Sequence, residues 1–201
     1  MKYVVLIPIY NDRESLKLLI ENINHEIKDL NHEISIVVIN DASSQQIVDT
    51  YPNIENINSI EIVNMKENRG HARCIASGLK YIFEKKEFDF VIPMDGDGED
   101  RPEEIKNFIE FSEKSGGKSL VGDRVKRSEG LIFKTCYQFH KFLTLAFTGQ
   151  SIKFGNFTCL SKSTVKKLLY EKATWNSFSG SLKKVENELV SIPSIRGKRY
   201  F

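Results

Sequence analysis

The sequence predicts an α/β fold, a mostly parallel central sheet with helices on both faces. Three observations point to it. Apolar runs of strand length alternate with amphipathic helical stretches through the first hundred residues. The first of these runs is apolar throughout, and the second and fourth are so but for Ser35 and Asp89, as in strands covered on both sides. Each of the four runs ends in a polar, turn-rich cluster, at 10–12, 40–44, 67–73 and 95–100. If the strands are parallel, these clusters share one rim beyond the carboxyl ends of the sheet, where such folds bind ligands.

Tyr3 to Ile9 is the first β-branched run. After Tyr10-Asn11-Asp12, the residues Leu16, Leu19, Ile20, Ile23 and Ile27 recur at three- and four-residue spacing, which is one face of a helix. Asn11 or Asp12 supplies its cap. Ile34 to Ile39 is a second buried strand, and Ile60 to Met65 a third, with weaker alternation. A helix follows from about His71 to Lys85, turning Ile75, Leu79, Ile82 and Phe83 inward. Phe88 to Met94 is the fourth strand.

The second half is less regular. Ser119 to Gly122 reads as a short strand leading into Asp123-Arg124-Val125-Lys126-Arg127. Leu131 to Phe147 is apolar and aromatic with basic residues interleaved. It reads first as a core helix and second as a segment lying in a membrane interface. Ile152 to Leu160 is a strand interrupted at Gly155, Ser163 to Glu171 a short helix, and Lys183 to Ile192 a hairpin or terminal strand. With no repeat, linker or low-complexity tract, residues 1–201 read as one domain.

Composition narrows the function. A net charge of +2 with 28% charged residues gives no basis for nucleic-acid binding. Cys74, Cys136 and Cys159 are dispersed and unpaired in pattern, which suits a reducing cytoplasm. The start of the chain lacks the features of a signal peptide, and no stretch of about 18 apolar residues is present. A cytoplasmic protein, or one held peripherally on the inner face of a membrane, is the expectation.

The acidic turn Asp95-Gly96-Asp97-Gly98-Glu99-Asp100 carries the chemistry. Carboxylates crowded at a strand end repel one another, and a hard divalent cation, Mg²⁺ or Mn²⁺, relieves that repulsion. Such an ion, completing its shell with substrate phosphates, would stabilise a diphosphate leaving group as a Lewis acid. A calcium loop fits poorly. Counting from Asp95, the sixth position is Asp100 rather than glycine, and the twelfth is Lys106 rather than glutamate. A solvated loop capping the next helix near Pro102 is the plainer alternative.

Six motifs in order resemble family 2 glycosyltransferases of the GT-A fold, in the branch of dolichol-phosphate mannosyltransferase and bacterial cell-envelope sugar transferases. They are Pro8-Ile9-Tyr10-Asn11, Val38-Ile39-Asn40-Asp41-Ala42-Ser43, Asn68-Arg69-Gly70, the acidic turn through Pro102-Glu103, Gly122-Asp123-Arg124, and Gly155-Asn156-Phe157 with Leu160. The resemblance spans nearly the whole chain. It implies a nucleotide pocket lined by Pro8, Tyr10 and Asp12, Asp41 on the base, and Arg73 near the base or phosphates. It implies Asp95 at the ribose or metal and Asp97 as the principal metal ligand, with Glu99 beside it. It sets Arg124 with the catalytic carboxylates and Arg127 and Arg199 toward diphosphate or acceptor phosphate, a pairing that suits guanidinium. Residues 1–100 would then hold the donor, and residues 101–201 would face the acceptor.

The implied reaction is an inverting transfer from a nucleoside-diphosphate sugar to a lipid-linked or glycan acceptor. Asn40 stands where relatives have an aspartate, and Asn156 cannot serve as a general base. A lipid phosphate, already ionised, needs none. Arg199-Tyr200-Phe201 matches the start of a longer acceptor-side motif, so a continuation beyond residue 201 is expected. Two other readings compete: a sugar-1-phosphate nucleotidyltransferase, disfavoured by the absence of a glycine-rich loop after the first strand, and a catalytically silent nucleotide-binding relative. A receiver-like signalling module would need an early acidic pair, and only Asp12 is there.

Overall fold

The computed structural model describes residues 1–47, 51, 54–124 and 154–201. Arg127 and the 131–147 segment lie outside the described residues. In chain order the elements are β1 (Lys2–Ile9), α1 (Arg13–Glu26), β2 (Glu33–Asn40), β3 (Ser59–Asn64), α2 (His71–Lys85), β4 (Phe90–Pro93) and α3 (Glu104–Lys114). Then come β5 (Leu120–Arg124), β6 (Phe154–Ser161), α4 (Lys162–Tyr170), a 3₁₀ turn (Lys172–Trp175), α5 (Phe178–Val185) and β7 (Val190–Ser194).

The strands form one seven-stranded sheet in the order β3-β2-β1-β4-β6-β5-β7. β1 pairs in parallel with β2 and β4, and β2 with β3. β6 is antiparallel to both β4 and β5, while β5 and β7 are parallel. Six strands therefore point one way and β6 the other. The chain steps outward from β1 to β2 and β3, then returns to place β4 on the opposite side of β1. That reversal opens a crevice between the carboxyl ends of β1 and β4.

Two apolar layers sandwich the sheet, as near-continuous hydrophobic strands require. On one face α1 buries Leu16, Leu19, Ile20 and Ile23, and α3 buries Ile105, Phe108 and Ile109. On the other, α2 contributes Cys74, Ile75, Leu79 and Ile82, joined by Val165 and Leu168 of α4 and Phe178 and Leu182 of α5. Cys74 and Cys159 are both free and buried, and burial pushes the Cys74 thiol up to about 12.

Two stretches fold differently from the expectation. Lys183 to Ile192 is not a hairpin or a single strand. Its first residues end α5, and only Val190–Ser194 is strand. Phe178, Ser181 and Leu182 make an inward-facing helical stripe, and Lys183 and Lys184 sit favourably in its last turn. Gly155 does not interrupt β6, which is continuous over Phe154–Ser161; the irregularity appears as a register shift against Val121 and Asp123 of β5.

Gly78 sets how closely α2 approaches the sheet. A Cβ there would lie 2.3 Å from Leu6 Cδ1 and 2.9 Å from Ile39 Cγ1, both on fully buried side chains. Gly78→Ala gains about 1 kcal/mol of helix propensity but overpacks this contact by more, for a net destabilisation of about 1–2 kcal/mol. A lower thermal midpoint is the expected reading; an unchanged or higher one would show that the helix can lift at no cost.

Candidate functional site

The polar ends of β1, β2, β3 and β4 share one rim, and side chains stitch them together. Asn11 has a φ of 51°, rare outside glycine but tolerated by asparagine. In that conformation its Oδ1 accepts from the Ser44 amide at 2.8 Å and from Ser44 Oγ at 3.1 Å. The Asn11 amide donates to Ser43 Oγ at 2.9 Å. Asp12 caps α1, accepting from the Ser15 amide at 3.4 Å. The β1 and β2 loops thus hold each other, and Asn11, Asp12, Arg13, Glu14, Gln45, Gln46 and Phe201 line a cavity of about 320 Å³ beside them. Pro8 is buried at the end of β1, whereas Tyr10 presents its ring to solvent.

Asp41 is buried, and both of its carboxylate oxygens are engaged. Oδ1 accepts from the Arg69 amide at 2.7 Å, and Oδ2 from the Gly70 amide at 2.8 Å. Gly70 caps α2 with a φ of 86° and no side chain to contribute, so a carboxylate from the neighbouring strand end fixes this loop. Asn40, the substitute for an aspartate, donates through Nδ2 to Asn64 Oδ1 at 2.8 Å and accepts from the Ser43 amide at 3.0 Å. Arg73 is exposed on the first turn of α2.

The acidic turn follows β4 and sits in the crevice against β1. At Gly96 an added Cβ would come within 3.2 Å of the Pro8 carbonyl and of Ile9 Cδ1. The Asp41 amide donates to that same Ile9 at its carbonyl, 2.9 Å away. Asp100 is buried and folds the turn back on itself, accepting from the Asp95 amide at 2.8 Å. Asp95 faces His71, whose Nε2 lies 3.2 Å from its Oδ1, and Asn156, whose Nδ2 donates to the same oxygen at 3.3 Å. His71 Nε2 and Asn156 Nδ2 are 2.8 Å apart. The hydrogen bond to Asp95 lifts the His71 imidazole above its ordinary value, against the opposing effect of burial.

Asp97 and Glu99 meet cations from the C-terminal segment. Asp97 Oδ2 lies 3.0 Å from Arg199 Nε, and Glu99 pairs with Arg196. Burial raises the Asp97 carboxyl, the charge of Asp95 raises it further, and Arg199 and Arg196 offset this only in part. Arg124 closes β5 opposite Ser194.

Spacing brings Asp95, Asp97 and Glu99 together in the sequence, but it does not bring His71, Arg196 or Tyr200 to the turn. No spacing signal could have found them. Positions 71, 95 and 156 meet one another, and 196 meets 99, only through the strand order. Arg199, which the resemblance sets toward diphosphate or acceptor phosphate, bonds a carboxylate here, as does Arg196.

Among the described residues, no group of three or more His, Cys, Asp and Glu side chains is placed to hold a metal ion. Asp97 and Glu99 still fit a hard divalent ion. Such an ion needs only one or two protein carboxylates when phosphates and water complete its shell, and two guanidinium groups already stand against these carboxylates as cations.

Residues 4–165 match the sequence profile of Glycosyl transferase family 2. The chain belongs to that family. Its curated relatives include undecaprenyl-phosphate 4-deoxy-4-formamido-L-arabinose transferases. The protein of that name from Proteus mirabilis is 30% identical over 166 residues, covering 81% of this chain and 48% of its own. That from Photorhabdus laumondii is 29% identical over 165 residues with the same coverage. The chain therefore spans about half the length of the curated relatives it matches. Among solved structures, Staphylococcus aureus TarS 1-349 in complex with UDP superposes with a TM-score of 0.65 at 18% identity, over 98% of this chain and 59% of that one. Glucosyl-3-phosphoglycerate synthase from Mycobacterium tuberculosis, in complex with Mn²⁺, UDP and glucosyl-3-phosphoglycerate, gives 0.64 at 14% identity, over 100% of this chain and 72% of that one. This family 2 chain therefore has the GT-A fold. No helix among its described residues is long and apolar enough to cross a membrane.

Proposed function

We propose that this chain is the catalytic part of a metal-dependent, inverting glycosyltransferase. It moves a sugar from a nucleoside-diphosphate donor to a lipid phosphate of the cell envelope, working at the inner face of the membrane in peripheral contact with it. The observation that carries this reading is the acidic turn seated at the crevice between β1 and β4, joined through Ile9 to Asp41. The names of the curated relatives, which specify undecaprenyl phosphate, support the acceptor class. The UDP in the TarS complex supports a nucleoside-diphosphate donor.

In this reading residues 1–100 hold the donor and residues 101–201 face the acceptor. Pro8, Tyr10, Asp12 and the cavity beside them receive the nucleoside, and Arg73 adds positive charge near it. Asp41 acts chiefly by fixing the 69–70 loop, and offers its remaining lone pairs to the base. Asp97, with Glu99, holds Mg²⁺ or Mn²⁺, which supplies Lewis-acid stabilisation of the diphosphate. Asp95, held by His71 and Asn156, orients the donor. Arg124, Arg127 and Arg199 supply guanidinium groups for diphosphate or acceptor phosphate.

An acceptor phosphate oxygen attacks the anomeric carbon from the face opposite the leaving group. The new C–O bond forms as the bond to the nucleoside diphosphate breaks, and the diphosphate departs with the electron pair. The nucleophile is already an anion, so no proton is removed and Asn156 need not be a base.

A thermal-shift panel tests the binding half of this reading. UDP or GDP with Mn²⁺ should raise the thermal midpoint by several degrees, because a ligand bound only by the native state stabilises it by roughly 2.7 kcal/mol at 100 times its Kd. The nucleotides without metal should do much less. No shift with any nucleoside diphosphate would remove the proposal.

A further inference from the structure

The segment after β7 does not leave the fold. It crosses the acidic turn as a strap. The Gly197 amide donates to the Glu99 carbonyl at 2.7 Å, and the Tyr200 amide to the Asp97 carbonyl at 3.0 Å. The Tyr200 ring lies on Gly98, where an added Cβ would come within 2.6 Å of it. Its hydroxyl accepts from Asn22 Nδ2 of α1 at 3.0 Å, anchoring the strap to the opposite side of the turn. Within this frame Arg199 pairs with Asp97, and Arg196 with Glu99.

We infer that the strap is a built-in counter-cation for the acidic turn, and that a divalent metal ion and Arg199 exclude each other at Asp97. The physics is that of two cations competing for one carboxylate. Asp97 Oδ1 already accepts from the Glu99 amide at 3.0 Å, so a doubly charged ion at about 2.1 Å and the guanidinium at 3.0 Å compete for Oδ2 and repel each other there. Metal entry therefore requires Arg199 to swing away. Because Asp97 and Glu99 also receive the strap through their carbonyls, the exchange loosens the Gly197 and Tyr200 hydrogen bonds. Tyr200 is the hinge pin. Its ring needs the bare Cα of Gly98, and its hydroxyl bond spans to α1. In the metal-free site the strap in this way sets two guanidinium charges against Asp97 and Glu99, and it lifts when a divalent cation enters. Coupling between two ligands of one site is reciprocal: the metal weakens the strap by the same factor by which the strap weakens metal binding.

This inference rests on the function proposed above, and two measurements separate them. Mn²⁺ binding to the 201-residue chain, without nucleotide, can be followed by the loss of free-ion EPR signal. Arg196→Gln with Arg199→Gln should bind Mn²⁺ about tenfold more tightly than the unaltered chain. Tyr200→Ala, which frees the strap without changing any charge, should shift affinity in the same direction. Hydrogen exchange gives a second readout. Amides across 195–200 should exchange faster when Mn²⁺ and UDP are added to the unaltered chain. Equal or weaker Mn²⁺ affinity in both variants, with protection of 195–200 unchanged by Mn²⁺ and UDP, would overturn the strap while leaving metal dependence intact. Absence of Mn²⁺ binding in every form, with and without UDP, would overturn both.

Discussion

Replacing Asp97 by alanine is expected to cut sugar transfer by about 100-fold or more, as does loss of a group that stabilises charge developing in a transition state. EDTA should have the same effect on the unaltered chain, and the two losses should not add, because both remove the same ion from the same carboxylate. Labelled undecaprenyl phosphate and a nucleotide-sugar mixture give the assay. Full activity in EDTA and in the variant would leave the acidic turn a structural loop. Stability provides the control. Burial holds the Asp97 carboxyl above its ordinary value, so the folded chain binds that proton more tightly than the unfolded chain does. Its charge then opposes folding at a pH above the raised folded value, and the penalty disappears as the pH falls below the ordinary carboxylate range. Asp97→Asn should therefore lose activity while the thermal midpoint of the metal-free protein at pH 7 holds or rises. A large drop in midpoint would mean that the Arg199 contact outweighs the cost of the buried charge.

The second large effect is expected at Asp41. Alanine there removes both acceptors from the Arg69 and Gly70 amides at a position where the carboxylate is only 3% exposed. Hydrogen bonds to a charged group contribute about 1.5–3 kcal/mol each, and water entering the vacated space recovers part of that, so a loss of about 2–4 kcal/mol is expected. For a chain of this size the thermal midpoint should fall by roughly 6–12 °C. Asp41→Asn should fall less, since its carbonyl can keep one of the two amides while its NH₂ opposes the other. A midpoint unchanged in Asp41→Ala would show that the 69–70 loop is held by other contacts. A change of nucleotide preference in Asp41→Asn, beyond the loss of stability, would be the mark of direct base contact.

Much of the first half was legible because each signal there is local. The spacing of Leu16, Leu19, Ile20 and Ile23 gives α1 its buried face whatever surrounds it, and Asp12 caps the helix three residues ahead of its Ser15 partner. The α2 boundaries, His71 to Lys85, follow from a glycine at the cap and an unbroken apolar stripe. In the second half, Phe178–Val185 is a helix of only eight residues, too short for its period to stand out beside the β-branched residues that follow.

The sequence by itself determined the order of the elements in the first hundred residues, the polar character of four strand ends and the crowding of carboxylates at residues 95–100. These depend on residue type and spacing along the chain, and no partner is needed to read them. The tertiary structure alone decided that β6 runs against its neighbours, that Asp41 serves a loop some thirty residues away, that His71 and Asn156 converge on Asp95, and that Arg196 and Arg199 close over the turn. Each is a contact between groups far apart in sequence, fixed by which strand lies beside which. The backbone connectivity that local signals report carries no information about that order.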